Sequence, residues 1–186
     1  MVSSTFIVLC SYFIVSFLSL GAILSAGLGN TWWVSKTSFE TYGLWKDCFY
    51  NITQKCIVRS DILKFRVNPG TDPIIVCLLL SFIFMLFSTT MSLIITFCCE
   101  KKYSLQKSAM QVNAILLLIS VICSVDGMVY SEYQLRHLLI VNDRGWSFFA
   151  AWAGTILQVS AFLLMLFKLC FHLRMNVRVS NRGTIF

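Results

Sequence analysis

Four long apolar stretches constrain the fold of this chain more than any other feature. They span residues 6–28, 74–98, 112–130 and 146–171, and the only charged residues within them are Asp126 and Lys168. The first has 23 residues and as an α-helix would measure about 34 Å, enough to cross a hydrocarbon core of roughly 30 Å. The pattern predicts four transmembrane helices.

Composition leaves little material for a separate soluble domain. Hydrophobic residues make up 58% of the 186-residue chain and charged residues only 12%, about half the charged fraction of an ordinary soluble domain. The net charge of +7 does not indicate a nucleic-acid partner, because the basic residues lie beside the apolar stretches, where they set topology or meet anionic lipid headgroups. We expect one membrane unit, 1–186, in contact with the lipid bilayer.

Small residues spaced four apart recur in the first and fourth spans. Such steps allow helix backbones to approach closely in lipid. They are Gly21–Ser25, Ala22–Ala26 and Ala150–Gly154. A cleaved signal peptide is the rival interpretation of the first span, but the span exceeds the roughly 7–15 apolar residues of a signal and no Lys or Arg precedes it. We therefore expect a retained helix.

The distribution of Lys and Arg predicts which loops face the cytoplasm. The loop 99–111 and the tail 172–186 carry basic residues close to the span ends, and the tail contains no acid. By the positive-inside rule, both would be cytoplasmic. Loops 29–73 and 131–145 would then be extracellular, in a multi-pass plasma-membrane protein with cytoplasmic termini.

The first outer loop contains the only two cysteines of the predicted extracellular part, Cys48 and Cys56. An even pair in an oxidising compartment is expected to form a disulfide; the alternative is two free thiols. The segment 48–58 is typical of a β-hairpin, and residues 63–67 alternate like a further strand. Asn51 begins a glycosylation sequon near the hairpin turn.

Asp126 is the one acidic residue well inside a span. Because a lone carboxylate in lipid is costly, we expect it to face the bundle interior or to be neutral. One hypothesis is a proton or ion site. The other is a hydrogen bond to a hydroxyl group of Ser120, Ser124, Ser88, Thr89 or Thr90.

Two further motifs lie at the predicted cytoplasmic side. Cys98, Cys99 and Cys170 occupy span ends beside basic residues, a setting for S-palmitoylation. The chain ends Thr184-Ile185-Phe186, which fits a ligand that adds as a strand to a PDZ scaffold.

Motifs of catalysis are missing from the sequence. No Cys, His and Asp cluster has the spacing of a metal site, and His137 and His172 are far apart. The chain also lacks a nucleophile elbow and a phosphate-binding loop. We expect no enzymatic activity, no metal and no cofactor.

The first loop carries the pattern W…GLW-x2-C-x7-C, formed by Trp33, Gly43, Leu44, Trp45 and the two cysteines. With four spans and a larger first outer loop, the chain resembles the claudin, epithelial membrane protein and peripheral myelin protein superfamily. The resemblance implies an all-α membrane bundle of four transmembrane helices, left-handed, with a small extracellular antiparallel β-sheet built mostly from the first loop.

Within that superfamily the motifs point in more than one direction. The short gap between Trp33 and Trp45 is similar to the epithelial membrane and peripheral myelin proteins. The Gly-Leu-Trp triplet is similar to claudins and to calcium-channel γ subunits, which residues 145–148 also resemble. A claudin-like Arg just before the second span is replaced here by the segment 69–73.

The resemblance implies a non-enzymatic protein of cell–cell contact or membrane organisation. Its disulfide-stapled first loop would bind another membrane protein, in the same or an opposed membrane, or a second copy of the chain. One alternative is an auxiliary subunit that modulates an ion channel or receptor. Another is a paracellular barrier or pore of tight junctions.

Overall fold

The computed structural model describes residues 4–29, 31–35, 40–44, 46–49, 55–58, 72–98, 103–138 and 142–183. Four long helices dominate it: α1 Ser4–Leu28, α2 Asp72–Cys98, α3 Tyr103–Leu138 and α4 Trp146–Gly183. Each contains a stretch long and apolar enough to cross a membrane, namely Ile7–Leu28, Pro73–Thr96, Lys107–Tyr133 and Trp146–Phe171. The prediction of four spans is confirmed.

The third and fourth helices extend beyond their apolar stretches. Much of the predicted loop 99–111, the first part of the predicted loop 131–145 and all of the described tail, 172–183, are helical. Hydropathy locates the part of a helix that lies in hydrocarbon, not its ends. Gln, Lys, Arg and Glu are good helix formers, so the backbone hydrogen bonds continue outside the apolar part.

Helix packing is uneven around the bundle. α1 packs mainly on α4 and α2 mainly on α3, whereas α1 and α2 meet only sparsely. A Cβ on Gly154 would lie 2.7 Å from Ile23 and 3.4 Å from the Cβ of Ala22. The small residues of α4 and the Ala22–Ala26 step therefore lie at the α1–α4 contact.

The second small-residue step of α1 does not pack against another helix of the bundle. Gly21 and Ser25 are exposed on the outer surface, and a Cβ on Gly21 would meet nothing within 4 Å. The two steps begin at adjacent residues of one helix and therefore face different directions, so only one of them can meet α4.

The described residues form a five-stranded antiparallel sheet at one end of the bundle. Its strands are β1 Trp33–Ser35, β2 Glu40–Tyr42, β3 Lys46–Phe49, β4 Lys55–Val58 and β5 Asn142–Arg144, in the order β4-β3-β2-β1-β5. Since β5 belongs to the α3–α4 connection and pairs with β1, both connections join one sheet at the same end. The strand predicted over 63–67 lies outside the described residues.

Candidate functional site

Trp32 anchors the beginning of the sheet in the helix bundle. Its side chain is fully buried, and its Nε1–H donates a 2.8 Å hydrogen bond to the carbonyl oxygen of Ala26 at the end of α1. The ring meets Phe148 of α4 edge to face, with centroids 6.2 Å apart. The indole therefore joins α1, β1 and α4 at one point.

Sequence reasoning singled out Trp33 and missed Trp32. Two adjacent tryptophans in a strand point to opposite faces, and the sequence does not say which one faces the bundle. The structure places Trp33 in β1, paired through its backbone with Tyr42 and Arg144. The side chain of Trp33 lies outside the described residues.

The backbone at the beginning of α4 forms hydrogen bonds with the segment that contains Trp32. The N–H of Gly145 donates to the carbonyl oxygen of Trp32 at 2.9 Å, and the N–H of Ser147 donates to that of Thr31 at 3.3 Å. A Cβ on Gly145 would collide with the carbonyl group of Thr31, and one on Gly29 would collide with Ser147. Glycine at both places is required by this close approach of two backbones.

Leu44, the central residue of the Gly-Leu-Trp triplet, enters the bundle from the β2–β3 connection. It is only 2% exposed and belongs to the same apolar cluster as Trp32, Phe148 and Ile74. The preceding Gly43 is buried as well, whereas Trp45 lies outside the described residues. We call the contacts made by Gly29, Thr31, Trp32, Leu44 and residues 145–148 the sheet–bundle junction.

The two cysteines of the first loop lie opposite each other in the sheet. β3 and β4 pair antiparallel in a register that places Cys48 across from Cys56. Opposite residues in such a ladder have Cα atoms roughly 4.5–5.5 Å apart, within the range of about 4.4–6.8 Å that a disulfide spans. Their side chains, and Asn51, lie outside the described residues, so the bond and the glycan stay predictions.

One ion pair ties β5 to α3. A guanidinium nitrogen of Arg144 donates a 2.9 Å hydrogen bond to the carboxylate of Glu132. The same guanidinium group lies 5.6 Å from the centroid of the Phe148 ring. Because Arg144 is exposed, this pair contributes no more than about 1 kcal/mol to stability.

Beneath the junction, a layer of polar side chains crosses the bundle interior. Gln158 of α4 donates through Nε2 to Ser81 Oγ of α2 at 2.8 Å and to Ser120 Oγ of α3 at 3.2 Å. Ser120 in turn donates to the carbonyl oxygen of Ser81 at 2.8 Å. All three residues are fully buried, so each polar atom replaces water with a partner on another helix.

A second polar layer lies nearer the opposite end. Asn113 donates to Ser92 Oγ at 2.6 Å and accepts from Ser88 Oγ at 2.7 Å. Ser88 also shares a 3.2 Å hydrogen bond with the hydroxyl of Tyr12 on α1. Sequence analysis missed both layers, although an amide inside an apolar span, as at Asn113 and Gln158, is a usable signal.

Asp126 does not face the bundle interior, which was the first of its two predicted alternatives; that its carboxyl group is neutral stays a prediction. Its side chain is exposed on the outer surface of α3. The proposed partners are occupied elsewhere: Ser124 shares a 2.6 Å hydrogen bond with Thr155, and Ser120 belongs to the Gln158 layer. Neutral hydroxyl groups satisfy one another across the interior, so the carboxylate has no place there.

The structure describes only some of the remaining candidate residues. Cys170 is an exposed free thiol on α4, Cys98 is the last residue of α2, and Cys99 and 184–186 lie outside the described residues. Within the part of the chain that the structure describes, no three His, Cys, Asp or Glu side chains are placed to bind a metal ion.

Comparison with known proteins assigns the chain to a family. No curated protein sequence matches the chain. The model of the PMP-22/EMP/MP20/Claudin family matches residues 5–165, from the first turn of α1 through the whole sheet and into α4. Because this match covers most of the chain, the protein is a multi-pass membrane protein that belongs to the PMP-22/EMP/MP20/Claudin family.

Proposed function

We propose that this protein acts without enzymatic activity in cell–cell contact or membrane organisation, by presenting its sheet to a neighbouring molecule. The observation that carries the proposal is the sheet–bundle junction. Trp32, Leu44 and Gly145 fasten three separate parts of the sheet to the helices. A surface held in place in this way loses less conformational entropy on binding.

The order of the strands supports a recognition mechanism. β4 is at one end of the sheet and, in the described part of the chain, pairs only with β3. An edge strand offers backbone N–H and C=O groups to an added strand. A disulfide between Cys48 and Cys56, which the register of β3 and β4 allows, would hold this edge strand in place.

The sheet end is the extracellular end in this proposal. Both sheet-forming connections lie at one end of the bundle, and the basic segments lie at the other. Glycosylation of Asn51 would occur at the sheet end. Palmitoylation of Cys98, Cys99 and Cys170 and PDZ binding by Thr184, Ile185 and Phe186 would occur at the cytoplasmic end of a plasma-membrane protein.

Mixed cell populations test the contact function. Cells that express the full chain should enrich it at contacts with other expressing cells, or with cells that carry the partner. Gly145→Ala, which disturbs the junction, and the double variant Cys48→Ser, Cys56→Ser should reduce this enrichment at equal surface amounts. Cys10→Ser, a free thiol in α1, is the control. Wild-type protein that spreads evenly over the surface would refute the proposal.

The exposed carboxylate of Asp126 favours a second candidate function, that of an auxiliary subunit of a channel or receptor. The residue lies within the span Lys107–Tyr133 and on its outer surface. An ionised side chain facing lipid is costly, and a basic side chain on a partner's transmembrane helix would offset that cost.

Affinity purification separates this candidate from the first. A channel or receptor that co-purifies with the wild-type chain should be lost with Asp126→Asn. It should be retained with Asp143→Asn, the same change in exposed β5. Equal recovery with both variants would contradict the auxiliary role of Asp126. A paracellular barrier, by contrast, requires that expression alters electrical resistance across an epithelial sheet.

A further inference from the structure

An apolar cavity lies between α1 and α2, the two helices that pack sparsely. Its volume is about 140 Å³, and the described residues that form its walls are all Ile, Leu, Phe or Gly. Leu44 contributes the wall nearest the sheet, and Gly27 of α1 leaves room where other residues would place a side chain. The cavity therefore adjoins the sheet–bundle junction.

The cavity opens toward the bilayer rather than toward the bundle axis. Three of its lining residues, Leu24, Leu28 and Leu79, are 49%, 69% and 46% exposed. Others, among them Leu44 and Leu78, are 2% and 4% exposed and form its floor. In a membrane the mouth of this cavity faces lipid hydrocarbon.

We propose that one aliphatic chain of a membrane lipid occupies this cavity. Water is a poor occupant, because a buried water needs two to four polar partners and the lining side chains supply none. A dry cavity of about 150 Å³ lined by Leu, Ile and Phe takes a ligand the size of benzene. A few methylene groups are of that size and continue naturally through the mouth into the bilayer.

A partner helix fits the same space less well. A helix with its side chains is about 10–12 Å wide, so only one of its side chains would enter the cavity. Lipid would still fill the remainder of the opening. An acyl chain restores the dispersion contacts that an empty void forfeits. Since the chain touches Leu44, the lipid becomes part of the support of the sheet, whatever the sheet binds.

Photolabelling in a pure lipid bilayer tests the proposal. The full chain is placed in nanodiscs of phosphatidylcholine that carries a photoreactive diazirine on one acyl chain, and labelled residues are located by mass spectrometry. Any lipid around the protein labels the exposed residues. A chain inside the cavity must also label Leu44 and Leu78, which have almost no outer surface.

Two glycines of α1 provide a matched pair of variants. A Cβ on either Gly27 or Gly21 meets nothing within 4 Å, but only Gly27 lines the cavity. Gly27→Phe should abolish labelling of Leu44 and Leu78, whereas Gly21→Phe should leave it at the wild-type level. If Gly27→Phe misfolds, Leu79→Phe fills the cavity from the exposed side of α2 and should give the same loss.

Two outcomes would overturn the proposal. One is wild-type protein labelled only at exposed residues. The other is equal labelling of the floor in the wild type and in folded cavity-filling variants. Neither outcome bears on cell contact, because no second cell and no protein partner is present in the nanodisc.

Discussion

Replacement of Trp32 by Ala is expected to destabilise the protein more than any other single change at the sheet–bundle junction. The substitution removes a fully buried indole, its 2.8 Å hydrogen bond to Ala26 and its edge-to-face contact with Phe148. Truncation of a buried Phe or Trp to Ala costs about 3–5 kcal/mol, including the cavity left behind. We expect a loss in this range.

Trp32→Phe separates the hydrogen bond from the burial. The carbonyl oxygen of Ala26 also accepts from the N–H of Gly29 at 3.3 Å, so it keeps a partner when the indole is lost. The cost of the missing bond should then be near the ordinary net value of about 0.5–1.5 kcal/mol. The smaller ring adds a modest packing loss.

Thermal unfolding of the purified full chain in detergent measures both effects. For a chain of this size, 1 kcal/mol shifts the midpoint by roughly 2–4 °C, so Trp32→Ala should lower it by on the order of 10 °C and Trp32→Phe by a few degrees. Trp146→Ala is the matched control, since Trp146 lies at the same junction but is 55% exposed. Equal shifts for Trp32→Ala and Trp146→Ala would refute the assignment of the anchor.

Three other predictions concern the polar layer, the sheet–bundle junction and the predicted disulfide. Gln158→Leu should lower the free energy of unfolding by about 1 kcal/mol, within the range of about 0.6–2 kcal/mol for interhelical hydrogen bonds in membranes; an unchanged midpoint would mean that Ser81 and Ser120 satisfy each other without it. Gly145→Ala should speed amide hydrogen exchange in β1 and β5 while α2 stays protected. Equal exchange rates of β1 and β5 in the variant and the wild type would contradict the junction. Reduction of a disulfide between Cys48 and Cys56 should lower the free energy of unfolding by about 2.5 kcal/mol; alkylation of Cys48 and Cys56 themselves in the unreduced chain, located by mass spectrometry, would show that the bond is missing.

Sequence reasoning predicted the elements that a continuous stretch of residues determines by itself. Four apolar stretches indicate four spans, because length and hydropathy alone decide whether a helix can cross a bilayer. The Gly-Leu-Trp triplet correctly drew attention to Leu44, although nothing in the triplet says that this leucine enters the bundle. The predicted span 146–171 agrees with the apolar part of α4, and the predicted span 112–130 lies within that of α3, Lys107–Tyr133. Hydropathy does not show that both helices continue further, because it reports lipid contact and not helical hydrogen bonding.

The contacts that depend on register or rotation were beyond sequence reasoning. Trp32 and Trp33 are adjacent, and which one is buried depends on how β1 leaves α1. Likewise Gly21 and Ala22 begin equivalent small-residue steps, but a rotation of α1 about its axis decides that Ala22 lies near Gly154 and that Gly21 faces outward.

The misplacement of Asp126 has a chemical reason that bears on function. An amide or hydroxyl group both donates and accepts, so Gln158 and Asn113 form hydrogen bonds with Ser81, Ser88 and Ser92 across the interior. An ionised carboxylate only accepts, and inside the bundle it would need a cation. The charged residues within the described spans other than Asp126 are Lys107, Glu132 and Lys168, and both lysines lie far along their helices from it. Within the described spans, neither lysine is placed to match Asp126, which is the reason to search for the cation on a partner's transmembrane helix.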